Sequence, residues 1–195
     1  MSEFSCIDFS SLIFEDQPFP HFSVTSIFKD NLESKLFDWF EHTNVWSLTI
    51  ADFYEQYEFS FLEVEIPRHL QCMVSKEIIT VIEDKLKAVF NVNSFNLAGI
   101  TAHKLVDGQR IGIHNDFIGG EETHRLVIQI NSGWSEDNGG FLLLFNSSKA
   151  EDIAKIVRPL NNSAVGFAIS DKSHHAVSTI NSFSRYSLIY TFAEK

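Results

Sequence analysis

Cysteine is scarce in this chain. Cys6 and Cys72 are its only two in 195 residues, too few for a disulfide framework, and two free thiols in a cytoplasmic protein are the expectation. Basic residues are scarce as well: 15 Lys and Arg stand against 26 Asp and Glu, a net charge of −11. That balance argues against nucleic-acid binding, which needs a basic face, and against adsorption to an anionic membrane. It suits a substrate with local positive charge, although an acidic surface also serves solubility. No apolar run is long enough to span a bilayer, and Met1-Ser2-Glu3-Phe4-Ser5 lacks the basic start of a secretory signal. The 4 prolines and 9 glycines gather into no linker, and no repeat divides the chain, so residues 1–195 read as one domain of open oligomeric state.

What is plentiful is apolar. Hydrophobic residues make up 44% of the chain, and its 19 phenylalanines can fill a substantial core. From about Lys29 to Thr43, Leu32, Leu36, Phe37 and Phe40 have helical spacing. A second helix is predicted from Arg68 to about Val92, with Pro67 near its first turn and Leu70, Val74, Ile78, Ile82, Leu86 and Val89 in phase. Between them, Phe53 to Ile66 alternates partly, as a strand or an extended loop.

After Phe95 the period changes to 2. Candidate strands are 95–106, 112–116, 125–131, 140–145, 163–169, 175–180 and 185–192, separated by turn signals such as Asp107-Gly108 and Gly119-Gly120. The fold class is α+β, mainly β. Many short strands suggest a double-sheet jelly roll over about 95–195, with the helices of about 1–94 packed on one outer face.

The chemistry concentrates in two places. His114-Asn115-Asp116 sets a histidine and an aspartate two residues apart, on one face if the segment is a strand. His175 follows fifty-nine positions after Asp116, far enough to return on another strand. Together they offer two imidazoles and one carboxylate, a set that suits Fe(II) and leaves coordination positions open. His174 competes with His175; Val177 continues the inward face of His175, which makes His175 the expected ligand and His174 an outer residue. Arg185 and Ser187 then share a strand face in an apolar run, Arg185-Tyr186-Ser187-Leu188-Ile189-Tyr190. A buried guanidinium there demands a dedicated partner, and an arginine fork with a hydroxyl beside it can anchor a carboxylate.

In order and spacing these pieces resemble the Fe(II)- and 2-oxoglutarate-dependent oxygenases, nearest the prolyl-4-hydroxylase-like branch. Arg125-Leu126-Val127-Ile128-Gln129-Ile130-Asn131, Gly139-Gly140-Phe141-Leu142 and Ala164-Val165-Gly166-Phe167 extend the match through the C-terminal hundred residues. The resemblance implies a double-stranded β-helix core with iron on His114, Asp116 and His175. It implies 2-oxoglutarate as co-substrate, its distal carboxylate on Arg185 and Ser187, and O2 as oxidant. In that family the co-substrate leaves as succinate and CO2 while a substrate C–H bond is hydroxylated. Related halogenases replace the carboxylate ligand with a small residue, so Asp116 favours hydroxylation. One departure stands out: prolyl-hydroxylase-like enzymes often carry a tyrosine three residues before the first histidine, and here that position is Ile111. His103, Arg125 and Gln129 are the polar residues expected to take over its contact with 2-oxoglutarate.

The substrate is less legible. Residues 116–124 should form a glycine-containing loop at the mouth of the site, where Glu121 and Glu122 could attract a basic group. Trp134 should sit on a second rim loop, and Trp39, Trp46 and Phe53 could line a pocket, although aromatics at such spacing are more often core. The chain is also similar to bacterial oxygenases that tailor ribosomally made peptides. A peptide or amino-acid side chain is the expected substrate; the alternatives are a non-peptide metabolite, or a non-redox, cupin-like metal-binding jelly roll with no oxygenase activity.

Overall fold

The computed structural model describes residues 6–195. In chain order its elements are β1 (Ile13–Glu15), β2 (His21–Val24), α1 (Leu32–His42), β3 (Ser47–Ala51), β4 (Tyr54–Ser60), α2 (Lys76–Phe90), β5 (Phe95–Leu105) and β6 (Ile111–His114). They continue with β7 (His124–Gln129), β8 (Leu142–Phe145), β9 (Ile153–Val157), β10 (Ser163–Ala168), β11 (His175–Val177) and β12 (Arg185–Glu194).

Both helices are amphipathic and bury one stripe: Leu32, Leu36 and Phe40 in α1, and Ile78, Ile82 and Leu86 in α2. The helix expected over 68–92 is broken at Ser75. Residues Arg68–Val74 wind as a 3-10 turn, and the Ser75 hydroxyl accepts from the Ile78 amide at 3.3 Å to cap a new α-helix. Asn91, in the left-handed region at φ 57°, ends that helix early, its N–H donating to the Lys87 carbonyl.

The strands form one antiparallel strip in the order β1-β2-β10-β7-β12-β5-β4-β6-β11-β8-β9, with β3 beside β4. β4 meets β6 through a single pair, Tyr54 opposite Ile111, and the strip curls there. The arm β6-β11-β8-β9 therefore lies over the longer arm, and Leu142 and Leu144 meet Val165 and Phe167 between the two. The result is a double-stranded β-helix with α1 and α2 on the outer face of the longer arm. On that face Leu36, Phe40, Ile82 and Leu86 join Leu126, Ile128, Leu188 and Tyr190 in one core. Each such side chain contributes about 1.5–3 kcal/mol by leaving water. Gly166 lets Phe22 lie flat on β10: a Cβ there would stand 2.2 Å from the Phe22 ring.

The order of helices first and strands afterwards is not what the chain adopts. β1 and β2 precede α1, β3 and β4 separate the helices, and β9 lies between two expected strands. β1, β2, β3 and β9 have three to five residues each, too few for a period of 2 to stand out, and β1, β3 and β9 are largely exposed.

Candidate active site

The metal-binding candidates come together at one end of the roll. His175 opens β11 and pairs directly with His114, the last residue of β6. Asp116 is not on the strand: it follows the strand end at φ 59°, and this left-handed turn brings its carboxylate back beside the histidine. The two imidazole nitrogens and the carboxylate lie within 4.8 Å of one another. His114 Nε2 stands 3.4 Å from Asp116 Oδ1, and His175 Nε2 stands 3.2 Å from Oδ2.

Each ring is fixed by its other nitrogen. His114 Nδ1 contacts the Gly112 carbonyl at 2.9 Å, and His175 Nδ1 contacts the Ser173 carbonyl at 2.8 Å. A carbonyl only accepts, so both Nδ1 atoms carry the proton and each Nε2 lone pair faces Asp116. Burial keeps His175 below its ordinary pKa and hence neutral. Burial pushes the Asp116 carboxyl up, but the polar surroundings, with the Arg125 guanidinium at 2.7 Å, outweigh it and hold it well below the usual carboxylate range. A divalent ion is what reconciles three lone-pair donors converging on one point, so the donor set fits iron. His174 is directed elsewhere. It lines a neighbouring cleft with Ser148 and Phe117, and its buried Nδ1 has no hydrogen-bond partner among the described residues.

Beside the triad a cavity of about 270 Å³ runs into the roll. Arg185 and Ser187 line it, almost fully buried. Arg185 Nε meets no partner among the described residues, and burial alone lowers its pKa to about 10. Its stem passes over Gly140, whose added Cβ would stand 3.0 Å from Arg185 Cδ. A buried cation without a counter-charge is an anion site in waiting.

The other expected contacts divide. His103, opposite Ser187 in register, lines the cavity; burial first, and then the charges of Arg125 and Arg185, lower its pKa to about 3, so it is neutral. Arg125 also lines the cavity, but its guanidinium is engaged, reaching Asp116 Oδ2 at 2.7 Å and Glu122 Oε2 at 2.5 Å. Glu122 thus pairs with Arg125, which it shares with Asp116, while Glu121 stays exposed on the loop. Gln129 is buried and takes no part in the cavity wall, because its side-chain oxygen accepts from Asn131 Nδ2 at 3.2 Å. Phe53 stacks on the His114 ring at 4.7 Å. Trp39 and Trp46 instead pack with Phe59 under the helices, and Trp134 donates to the Gly139 carbonyl away from the site.

Tyr54, Gln56 and Glu58, at alternate positions of β4, also line the cavity. The Glu58 carboxylate accepts from Gln56 Nε2 at 2.8 Å and Thr49 Oγ1 at 2.9 Å. Their period of 2 was present in the sequence, but a polar inward face gives no hydrophobic signal.

Residues 100–192 match the family model of the 2OG-Fe(II) oxygenase superfamily. The fold agrees. A Pseudomonas putida prolyl-4-hydroxylase superposes with a TM-score of 0.70 at 14% identity, over 90% of this chain and 92% of that one. A Trichoplax adhaerens prolyl hydroxylase, solved with a hypoxia inducible factor oxygen degradation domain peptide fragment, gives 0.70 at 11% identity over 89% and 83%. HygX from Streptomyces hygroscopicus, solved with nickel and 2-oxoglutarate, gives 0.61 at 8% identity over 90% and 83%. No curated protein matches the chain in sequence. Fold and family match together define an oxidoreductase whose cofactors are Fe(II), 2-oxoglutarate and O2. The C-terminal half of the chain, residues 100–192, belongs to the 2OG-Fe(II) oxygenase superfamily, with a prolyl-4-hydroxylase-like fold. No helix among the described residues is long and apolar enough to cross a membrane.

Proposed function

We propose that this oxygenase hydroxylates an unactivated C–H bond of a peptide or amino-acid side chain, with release of succinate and CO2. The observation that carries the reading is Arg185, a buried guanidinium with no partner among the described residues, at the wall of a cavity that opens onto His114, Asp116 and His175. A metal-storing or structural jelly roll has no use for such a cation; a dicarboxylate co-substrate needs one. His114, Asp116 and His175 hold iron, and Arg185 with Ser187 holds the distal carboxylate of 2-oxoglutarate. Bound together, iron and 2-oxoglutarate supply the oxidising chemistry. The protein orients them: the Gly112 and Ser173 carbonyls lock the two rings, and Arg125 holds Oδ2 of the Asp116 carboxylate. Tyr54, paired across from Ile111, brings to the cavity the phenol that position 111 lacks.

A peptide is supported by the company the fold keeps and by the rim. Phe53, Phe117 and Ile118 are exposed on both sides of the iron end, an apolar mouth for a side chain to enter. Bacterial peptide tailoring, suggested by the motifs, is compatible with such a mouth.

The test is anaerobic addition of Fe(II) and then 2-oxoglutarate to the metal-free protein, followed by visible absorption. A metal-to-ligand charge-transfer band should appear only with both present and vanish in His114→Ala. Tight Zn binding with no band would move the chain to the cupin-like reading. Succinate formation accelerated by members of a peptide library, but not by free amino acids, would fix the substrate class.

A further inference from the structure

Ser187, His103 and Glu58 stand side by side on three neighbouring strands. Ser187 of β12 is directly opposite His103 of β5, and His103 is directly opposite Glu58 of β4. All three line the cavity, and opposed side chains on one face of an antiparallel pair stand about 4.5–5.5 Å apart at Cβ. His103 Nε2 is 3.7 Å from Glu58 Oε2, too long for a hydrogen bond, and neither ring nitrogen has a hydrogen-bond partner among the described residues. Glu58 itself is fixed, by Thr49 Oγ1 at 2.9 Å and Gln56 Nε2 at 2.8 Å. A carboxylate is thus held in the wall of a cavity whose other wall is built for an anion. Like charges so placed repel unless a positive group stands between them, and His103 is what stands between.

We propose that His103 is a third contact of the co-substrate's distal carboxylate, and that 2-oxoglutarate binding places a proton on it, with Glu58 as counter-ion. This rests on the assignment of that carboxylate to Arg185 and Ser187. Glu58 on one side and the incoming carboxylate on the other can only accept hydrogen bonds, so an imidazole that serves both must carry a proton on each nitrogen. Without the co-substrate the balance is the opposite. Burial, and then the charges of Arg125 on β7 and Arg185 on β12, keep the ring neutral, and Asp116 offsets them only in part. Tyr54 of β4 faces the same cavity as a neutral phenol, its pKa raised by burial, and His114 and His175 are committed to the metal. Iron and 2-oxoglutarate bring charges of equal size and opposite sign, so the change His103 meets at close range is the carboxylate on Ser187. One proton passes from solvent to the ring, and Glu58 closes on it. Because the bound state holds the extra proton, binding strengthens as pH falls and weakens as pH rises.

The experiment is anaerobic calorimetric titration of 2-oxoglutarate into the Fe(II)-loaded protein, in buffers of different ionisation enthalpy, which counts the protons taken up. The charge-transfer band records binding independently. Expected are an uptake approaching one proton per 2-oxoglutarate at pH 6 and a Kd that rises roughly tenfold from pH 6 to pH 7, as one linked proton requires. In His103→Asn, and separately in Glu58→Gln, the uptake and the pH slope should both be lost while the band still forms. A band with no proton uptake in the unmutated chain, or an uptake that survives in His103→Asn, would overturn the proposal and leave the co-substrate site standing. Neither band nor binding heat in the unmutated chain would overturn both.

Discussion

β12 presents two unlike faces from one strand. Toward the helices it gives Tyr186, Leu188, Tyr190 and Phe192, all fully enclosed in the main core. Toward the inside of the roll it gives Arg185, Ser187 and Ile189 along the cavity. Both faces are buried, but only one is satisfied. On the helix side even the polar Tyr190 Oη has its acceptor, at 2.8 Å; on the cavity side the Arg185 Nε has none among the described residues. The helix face secures the fold, and the cavity face keeps a charge waiting for a ligand.

The largest effect should come from exchanging the charge. Arg185→Met should weaken 2-oxoglutarate binding by about 100-fold or more, since the co-substrate carboxylate would be left buried without its partner. Chemical denaturation of the same variant should show stability unchanged or higher by about 1–3 kcal/mol, because an unpaired buried cation has gone. A stability loss there would mean that Arg185 is a structural residue. Leu188→Ala, one face over, should do the reverse. It should lower stability by about 2–5 kcal/mol while the folded fraction binds 2-oxoglutarate with near-normal affinity. Gly166→Ala sharpens the packing side: its Cβ meets the Phe22 ring, and a loss of about 1–3 kcal/mol is expected in the same denaturation assay.

The smallest effect concerns pH. Burial lowers the pKa of His124, enclosed by Phe90 and Phe95, from 6.5 to about 4. Above pH 6.5 the ring is neutral whether the chain is folded or not. As pH falls below 6.5, the unfolded chain takes up a proton that the folded chain refuses, so stability declines until about pH 4. His124→Phe should flatten part of that decline, as read from denaturation midpoints at pH 7 and pH 5. His103, with its pKa lowered to about 3, titrates in both proteins and cancels in the comparison.

The same contrast explains what could be read in advance. Tyr186, Leu188, Tyr190 and Phe192 announce a strand by their period, and Arg185 just before them stands out because it sets a charge at the head of an apolar run. His114, Asp116 and His175 are legible as candidates because residues that can ligate a metal are few in kind. β4 shows in the partial alternation of 53–66, but the role of Tyr54, Gln56 and Glu58 does not, since they put polar groups inward and their meaning depends on which strands lie across from them. The pairing of Arg125 with Asp116 is likewise set by tertiary approach, which no local pattern encodes. Gln129 has the right type and face, and only the neighbouring Asn131 draws it away.

Asp116 differs from the two histidines in one further respect. They are locked by cross-strand pairing, while its backbone stands outside the ladder at φ 59°, a conformation glycine and asparagine adopt readily and alanine resists. The carboxylate is therefore the one member of the proposed triad that could be exchanged without disturbing the sheet. Glycine at position 116 would even relieve backbone strain while removing a proposed ligand, so the path from this donor set to a more open one is a single residue long.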